Sequence, residues 1–188
     1  MKLAALPLAL VVATAACSPD AQETTVVETV EGDAAGSAGP AATVEAGAGT
    51  LTPAGLGDLR IGRQVPAGSS FAERGAQIPG TDCRTVSSPD YPGVHAMTVD
   101  GEVRRITVSE ESPVKLAEGI GAGSSEAEVR AAFPGFVESP HKYLAAPGKY
   151  LTQQGSDPRL HFEIDTDRKV SLIHVGALPE LTWVEGCA

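Results

Sequence analysis

Long apolar runs and basic residues are both scarce in this chain of 188 residues. After residue 16, no apolar run approaches the roughly 20 residues that a transmembrane helix needs, so we expect no spanning helix in residues 17–188. The chain has 14 basic and 24 acidic residues, and its formal net charge is −10. Since no basic stripe is present, binding to nucleic acid or, by charge, to anionic lipid headgroups is not expected.

The chain also lacks the motifs of common catalytic and nucleotide-binding sites. It has no GxSxG nucleophile elbow, no HExxH zinc motif, no P-loop and no GxGxxG between a strand and a helix. We therefore predict no catalytic residue, no metal site, no cofactor and a function other than catalysis. A small cell-wall or glycan hydrolase is an alternative, because any two acidic residues can meet in a fold. A carrier of a small apolar ligand is a further alternative.

Cysteine is rare, and the first of the three cysteines follows a signal-like segment. Residues 1–16 combine Lys2, an apolar run over residues 3–12 and small residues at 13–16, as in a secretory signal peptide. Because Cys17 comes directly afterwards, the segment resembles a bacterial lipoprotein signal. The resemblance implies cleavage before Cys17, lipidation (palmitate) of Cys17 and a place in the bacterial cell envelope, facing the periplasm. The alternative is ordinary secretion after cleavage at Ala13 or Ala15.

Lipidation of Cys17 would leave Cys83 and Cys187 as a pair, and in an oxidising compartment a disulfide is the default. The two are 104 residues apart, which disfavours a zinc site or a redox dithiol. A bridge over so long a loop stabilises the fold by about 4–5 kcal/mol in the loop-entropy model. Ser18, rather than Asp, favours the outer membrane by analogy with the lipoprotein family.

The mature chain divides into a tether and a folded domain. Residues 17–50 are rich in Ala, Gly and acidic residues and contain no Lys, Arg or aromatic residue, so they predict a disordered acidic tether. Residues 51–188 contain all the aromatic residues and are long enough for one domain with a core.

Short alternating runs within the domain predict antiparallel hairpins. Apolar and polar residues alternate over 95–108 on both sides of Asp100-Gly101, a favoured tight turn, and so predict a first hairpin. Residues 159–175 predict a second hairpin that turns at 165–168. Capping-box spacings, S-x-x-E, predict helices that begin after Ser125 and, more weakly, after Ser70. Residues 180–187 (ELTWVEGC) predict a final strand.

These elements occur in the same order twice: Ile-Gly, a capped helix, a loop and a hairpin whose second strand contains VxxIxV. We therefore predict an α+β fold of two related helix-plus-antiparallel-hairpin units in one domain with one disulfide, the units covering about 56–112 and 113–188.

The second unit opens with Gly121-Ala-Gly-Ser-Ser-Glu-Ala-Glu-Val129. This motif resembles the units of the β-lactamase inhibitory protein fold and of the small outer-membrane assembly lipoproteins of the SmpA/BamE type, over about residues 56–175. The resemblance implies a fold that holds other proteins. We expect a non-enzymatic protein-binding role, as an envelope-assembly accessory or an inhibitor, with partners in the envelope and a membrane contact through the lipid on Cys17.

The second unit is longer than the first, and most of the extra residues fall between 136 and 155. This insertion concentrates aromatic and cationic residues on an acidic, aromatic-poor chain, which is typical of a contact surface. The candidate binding residues are His141, Lys142, Tyr143, Lys149 and Tyr150. The alternative is that Tyr143 and Tyr150 are core residues of a strand pair.

The second hairpin also contains two histidines. His161 and His174 can approach each other across the strands, and both are expected to be ordinary strand histidines. A metal site there would need a third ligand, for which Glu163, on the same face as His161, is the candidate.

Overall fold

The structure, a computed structural model, describes residues 49–188. The predicted signal peptide, Cys17 and nearly all of the predicted tether lie outside the described residues.

Short strands make up most of the regular structure. They are β1 (Thr50–Leu51), β2 (Gly55–Leu56), β3 (Leu59–Arg60), β4 (Ala72–Glu73), β5 (Cys83–Ser87), β6 (Val94–Val99), β7 (Glu102–Ser109), β8 (Lys115–Leu116), β9 (Val137–Pro140), β10 (Lys149–Thr152), β11 (Arg159–Ile164) and β12 (Val170–Gly176). One α-helix, α1 (Glu126–Ala132), lies between β8 and β9, and a 3₁₀ turn (Glu180–Thr182) follows β12.

Eight strands form one antiparallel sheet in the order β4-β5-β6-β7-β12-β11-β10-β9. Each half, β4–β7 and β9–β12, is a meander in which neighbours along the chain are neighbours in the sheet. The halves meet where β7 pairs with β12, for example Val108 with Ile173.

Both predicted hairpins are present, and local chemistry explains their turns. Asp100 and Gly101 have φ values of 53° and 81°, as a two-residue turn with positive φ at both positions requires. In the second hairpin, Asp165 Oδ1 accepts hydrogen bonds from the backbone N–H groups of Asp167 and Lys169, both at 2.8 Å. An Asx-type turn of this kind fixes the reversal between β11 and β12.

One face of the sheet is apolar and forms the core. Successive strand residues point to opposite faces, and the alternate residues of β6, β7, β11 and β12 on this face are mostly apolar and buried. Phe162 lies at the centre, fully buried, with its ring 5.7 Å from those of both Phe133 and Phe136. Val129 of α1 packs into the same cluster, as do leucines of β1, β2 and β3.

The predicted α+β class is wrong: 39% of the structure is strand, and one helix of seven residues is present in the described region. The helix predicted after Ser70 is absent, and Ala72–Glu73 instead pair with β5. Ser69 Oγ accepts from Phe71 N, and Ser70 Oγ lies 2.7 Å from Ser88 Oγ, so neither serine caps a helix. Since Gly68 and Gly75 leave only a short stretch between them, a helix there could not repay its nucleation cost.

The helix predicted after Ser125 is confirmed, with a complete capping box. Ser125 Oγ accepts from Glu128 N at 3.2 Å, and Glu128 Oε2 accepts from Ser125 N at 2.7 Å. Because the helix is restricted to the second half, the predicted plan of two helix-plus-hairpin units does not hold.

The final strand predicted over residues 180–187 is also wrong. Residues 180–182 form a 3₁₀ turn, and further turns follow. Pro179 before this segment and Gly186, at φ 65°, within it interrupt an extended conformation. The predicted disulfide is present: Cys83 and Cys187 are joined, with Cα atoms 5.5 Å apart.

Candidate functional site

The second face of the eight-stranded sheet is polar, and all four histidines of the chain lie over it or along it. One row of register partners crosses five strands, from β6 through β7, β12 and β11 to β10: His95, Thr107, His174, His161 and Thr152. The expectation that His161 and His174 approach each other is met, since they are direct cross-strand partners with ring centroids 5.6 Å apart.

Glu163 connects two of the histidines. Its Oε1 lies 3.1 Å from His174 Nε2, and its Oε2 lies 3.0 Å from His141 Nε2. Although burial acts to raise the pKa of Glu163, hydrogen bonds and charge interactions with His174 and His141 lower it to about 2. Glu163 is therefore a carboxylate at neutral pH that accepts one N–H from each imidazole.

The hydrogen bonds of His141 fix the position of its ring proton. Its Nδ1 accepts from the backbone N–H groups of Tyr143, at 3.0 Å, and Leu144, at 3.1 Å. The proton of the neutral ring is therefore on Nε2, where it is donated to Glu163. A metal at Nε2 would require a proton on Nδ1, facing two donors, so His141 is unsuited to bind a metal through Nε2.

The possible metal site around His161, His174 and Glu163 gains no support from the geometry. Within residues 49–188, no group of three His, Cys, Asp or Glu side chains converges in a way that could hold a metal ion. His174 instead bonds Thr107 Oγ1 through Nδ1 at 2.9 Å, and His161 bonds Thr152 Oγ1 through Nδ1 at 2.8 Å.

Burial keeps His95, His161 and His174 uncharged. It is the largest cause that lowers the pKa of His161 to about 3 and that of His95 to about 4, and it also lowers the pKa of His174. The positive charge of Arg105 acts in the same direction on all three. Such weak bases are poorly matched to proton abstraction near neutral pH, where an efficient general base has a pKa near 7.

Arg105 is the buried cation of this face, with 6% of its surface exposed. It donates through one terminal nitrogen to the carbonyl oxygens of Glu180, at 3.1 Å, and Trp183, at 2.5 Å, while its Nε has no hydrogen-bond partner among residues 49–188. Burial lowers the pKa of Arg105 below its usual range, and the negative charge of Glu163 acts against that shift. Arg105 therefore binds the main chain that crosses the polar face.

Residues 177–188, called the strap here, are the segment that crosses this face. The strap is held near its start by Arg104, whose guanidinium lies 3.1 Å from Glu180 Oε2, and by the buried Leu181. Its far end is joined to β5 by the disulfide.

Two spaces lie between the strap and the sheet. A cavity of about 130 Å³ is lined by residues that include Tyr150, His161 and Glu163 from the sheet and Leu181 and Trp183 from the strap. A more open cleft of about 390 Å³ is lined by residues that include His95 and Arg105 from the sheet and Val184 from the strap.

The five predicted binding residues fall into two groups. Tyr150 is 8% exposed, its hydroxyl accepts from Lys142 N at 3.2 Å, and the side chain of His141 is 6% exposed. These two residues hold the 141–148 loop to the sheet. Lys149 is also largely enclosed, with Nζ 3.1 Å from Glu126 Oε1 and 3.3 Å from Glu138 Oε2.

Tyr143 and Lys142 face outward. Tyr143 is 59% exposed, and Lys142 Nζ lies 5.1 Å from the centre of its ring. The alternative that both tyrosines are core residues therefore fits Tyr150, which is buried. Tyr143 is exposed and is in a position to be a contact residue.

Sequence reasoning missed the surface residues of the strap. In the described region, seven large apolar side chains are exposed, and five of them lie on the 141–148 loop or the strap: Tyr143, Leu144, Leu178, Trp183 and Val184. Lys142 Nζ lies 3.5 Å from Glu185 Oε1, so the loop and the strap are neighbours. The predicted disulfide was the available signal, since it already tied the strap to the middle of the chain.

No helix in residues 49–188 has the length and apolar character needed to cross a bilayer. Comparison with known proteins found no matching family model, no matching curated protein and no matching solved structure.

Proposed function

We propose that this protein is a lipid-anchored protein of the bacterial envelope, attached through Cys17 and facing the periplasm, whose folded part binds another envelope protein without catalysis. The binding surface is the loop–strap surface, defined as Tyr143, Leu144, Trp183 and Val184. The accessory or inhibitor role and the preference for the outer membrane belong to the same proposal.

The observation that carries the proposal is the concentration of exposed apolar side chains on two neighbouring segments. Tyr143 and Trp183 are 59% and 39% exposed, and both belong to residue types that dominate binding energy in protein interfaces. Lys142 beside the Tyr143 ring adds a cation at the rim. An apolar centre with a polar rim is the usual composition of such a surface.

The polar face beneath the strap supports binding better than hydrolysis. Glu163 and His174 line both the cavity of about 130 Å³ and the open cleft of about 390 Å³, and the imidazoles there are too weakly basic to abstract a proton near neutral pH. Both Glu163 oxygens already accept from imidazoles. The network thus acts as support for the loop and the strap.

The test is crosslinking in intact cells with the full chain, followed by mass spectrometry of captured proteins. We expect the double variant Tyr143→Ala/Trp183→Ala to reduce capture of a specific envelope protein by at least about 30-fold, because a single interface hot spot is worth about 2 kcal/mol or more. The matched control is Ile78→Ala, which removes an apolar side chain that is 43% exposed outside both segments. A Cys17→Ser arm should release the chain from the membrane fraction.

The proposal fails if the double variant, with an unchanged melting temperature, captures the same proteins in the same amounts as the wild type. It fails equally if Ile78→Ala lowers capture as much as the double variant does. A Cys17→Ser chain that stays in the membrane fraction would contradict the lipid anchor and leave the binding surface to be judged by the other two arms.

A further inference from the structure

We propose that the Cys83–Cys187 disulfide is a redox-sensitive latch, whose reduction by a dithiol releases residues 183–188 from the sheet and takes apart the loop–strap surface. The consequence for partner binding rests on the proposed function. The release of the strap is independent of the proposed function.

The first step in the argument is that the two ends of the strap are held differently. Leu181 is 1% exposed, and Glu180 accepts from Arg104 through two nitrogens, at 3.1 and 3.3 Å. This end is anchored by burial and by a partly buried ion pair. Beyond it, residues 182–185 are exposed and contribute no buried side chain.

The second step concerns what holds the far end in the described structure. Its polar contacts with the sheet and the loop are the bond from Arg105 to the Trp183 carbonyl, the Lys142–Glu185 pair and a 4.0 Å contact from Thr85 Oγ1 to Cys187 Sγ. The side chains of Lys142 and Glu185 are 52% and 55% exposed, and such pairs add little stability. The disulfide and the bond from Arg105 are therefore the principal attachments of residues 183–188, and the disulfide is the covalent one.

The third step is the chemistry of release. Cys187 is partly exposed, whereas Cys83 is 7% exposed, so a thiolate of the dithiol reaches the Cys187 sulfur first. Attack forms a mixed disulfide at Cys187 and breaks the Sγ–Sγ bond, and Cys83 leaves as a thiolate that takes up a proton. The second thiolate of the reductant then resolves the mixed disulfide. The dithiol is oxidised to its own disulfide, and two electrons and two protons pass to the two cysteines.

The fourth step is what release uncovers. The open cleft of about 390 Å³ has strap residues Val184–Cys187 along one side and the sheet residues His95 and Arg105 along the other. When residues 183–188 leave, Arg105 loses the Trp183 carbonyl and keeps that of Glu180. The Lys142–Glu185 pair between the loop and the strap is also lost, so the loop–strap surface exists as one unit only in the oxidised protein.

The chain provides its own probe, because Trp183 is its one tryptophan. The experiment treats the folded full chain with dithiothreitol and measures acrylamide quenching of tryptophan fluorescence, modification of histidines by diethyl pyrocarbonate and amide hydrogen exchange. We expect quenching to rise about twofold and amides 183–188 to lose protection, as in local opening of a weakly held segment. His174, which is 4% exposed, should become reactive and the partly exposed His95 more reactive, while amides of β11 and β12 stay protected.

Two results would overturn the latch. One is unchanged quenching and histidine reactivity after thiol titration shows both cysteines reduced. The other is loss of protection throughout β11 and β12, which would make the bridge a support of the whole fold. The Cys83→Ser/Cys187→Ser variant provides a second route to the open form, and if it folds with a closed strap the proposal is wrong.

None of these measurements needs a partner protein. The latch can therefore be disproved while the proposed binding surface is retained, and the binding surface can be disproved while the latch is retained. Crosslinking before and after reduction then compares partner capture by the oxidised protein with partner capture by the reduced protein. Under the combined proposals, capture that depends on Tyr143 and Trp183 in the oxidised protein is lost on reduction. Capture that persists after the strap has been shown to open would contradict control of binding by the latch.

Discussion

The two faces of the eight-stranded sheet are covered by opposite kinds of chemistry, although the same strands supply both. On one face Phe162 packs against the rings of Phe133 and Phe136. On the other, its neighbour Glu163 accepts hydrogen bonds from His141 and His174. Apolar contacts stabilise in proportion to buried area, whereas the polar network stabilises only if every group finds its partner. The apolar face thus provides most of the stability, and the polar face fixes where the loop and the strap lie.

The largest effect is expected from breaking the apolar face. Phe162→Ala should lower the free energy of unfolding by about 3–5 kcal/mol, because a fully buried ring is replaced by a cavity. Urea unfolding measures the change. Val137→Ala is the control, since Val137 is 52% exposed and its loss should change stability by no more than about 0.5 kcal/mol. Equal effects of the two substitutions would show that this face does not carry the core.

Acid should act selectively on the polar face. His161 and His95 have folded-state pKa values of about 3 and about 4, so below about pH 6.5 the unfolded chain takes up protons that the folded protein does not. Stability therefore falls as the pH drops from about 6.5 towards 4, by about 3 kcal/mol for each of these two histidines. Glu163, with a pKa of about 2, adds a loss of the same sign between about pH 4.5 and 2.

Urea unfolding at several pH values measures this dependence. His161→Gln should flatten the profile between about pH 6.5 and 4, because it removes one of the groups whose proton uptake differs between the two states. Val137→Ala again serves as the control and should keep the wild-type profile. A His161→Gln profile that matches the wild type would contradict a neutral, buried His161.

A smaller effect is expected when one acceptor in the network is changed. Glu163→Gln places an amide NH₂ opposite one imidazole N–H, so one of the two hydrogen bonds is lost, at a cost of about 2 kcal/mol. The matched control is Glu185→Gln, on an exposed ion pair, with an expected change of no more than about 1 kcal/mol. Hydrogen exchange should locate the Glu163→Gln effect in the 141–148 loop. Equal effects of both substitutions would contradict the inference that the Glu163–histidine network supports the 141–148 loop.

The predictable parts of this molecule are those encoded by neighbours in the chain. Asp100-Gly101 specifies its turn within two residues, and the Ser125 capping box closes within four. The pairing of His161 with His174 followed from the register of one hairpin. The prediction of a second helix failed because the Ser70 spacing matched a capping box while the surrounding glycines left no room for several turns.

The candidate site was less predictable because its contacts join distant segments. His141 meets Glu163 across 22 residues, and Arg105 meets the Trp183 carbonyl across 78. Residue type and spacing carry no information on such pairs. The aromatic and cationic insertion predicted Tyr143 as a contact residue. The place of Trp183 in the proposed binding surface depends on the path of the strap, which the bond from Arg105 and the disulfide determine.

The order of strands in the sheet has a kinetic consequence. Six of its seven strand pairings join strands that are consecutive in the chain, and the pairing of β7 with β12 is the exception. Meanders form through local contacts with a small loss of chain entropy, whereas the β7–β12 pair must close the long segment between them. We expect each half to gain structure early and the rate-limiting step to be their docking, at contacts such as Val108 with Ile173.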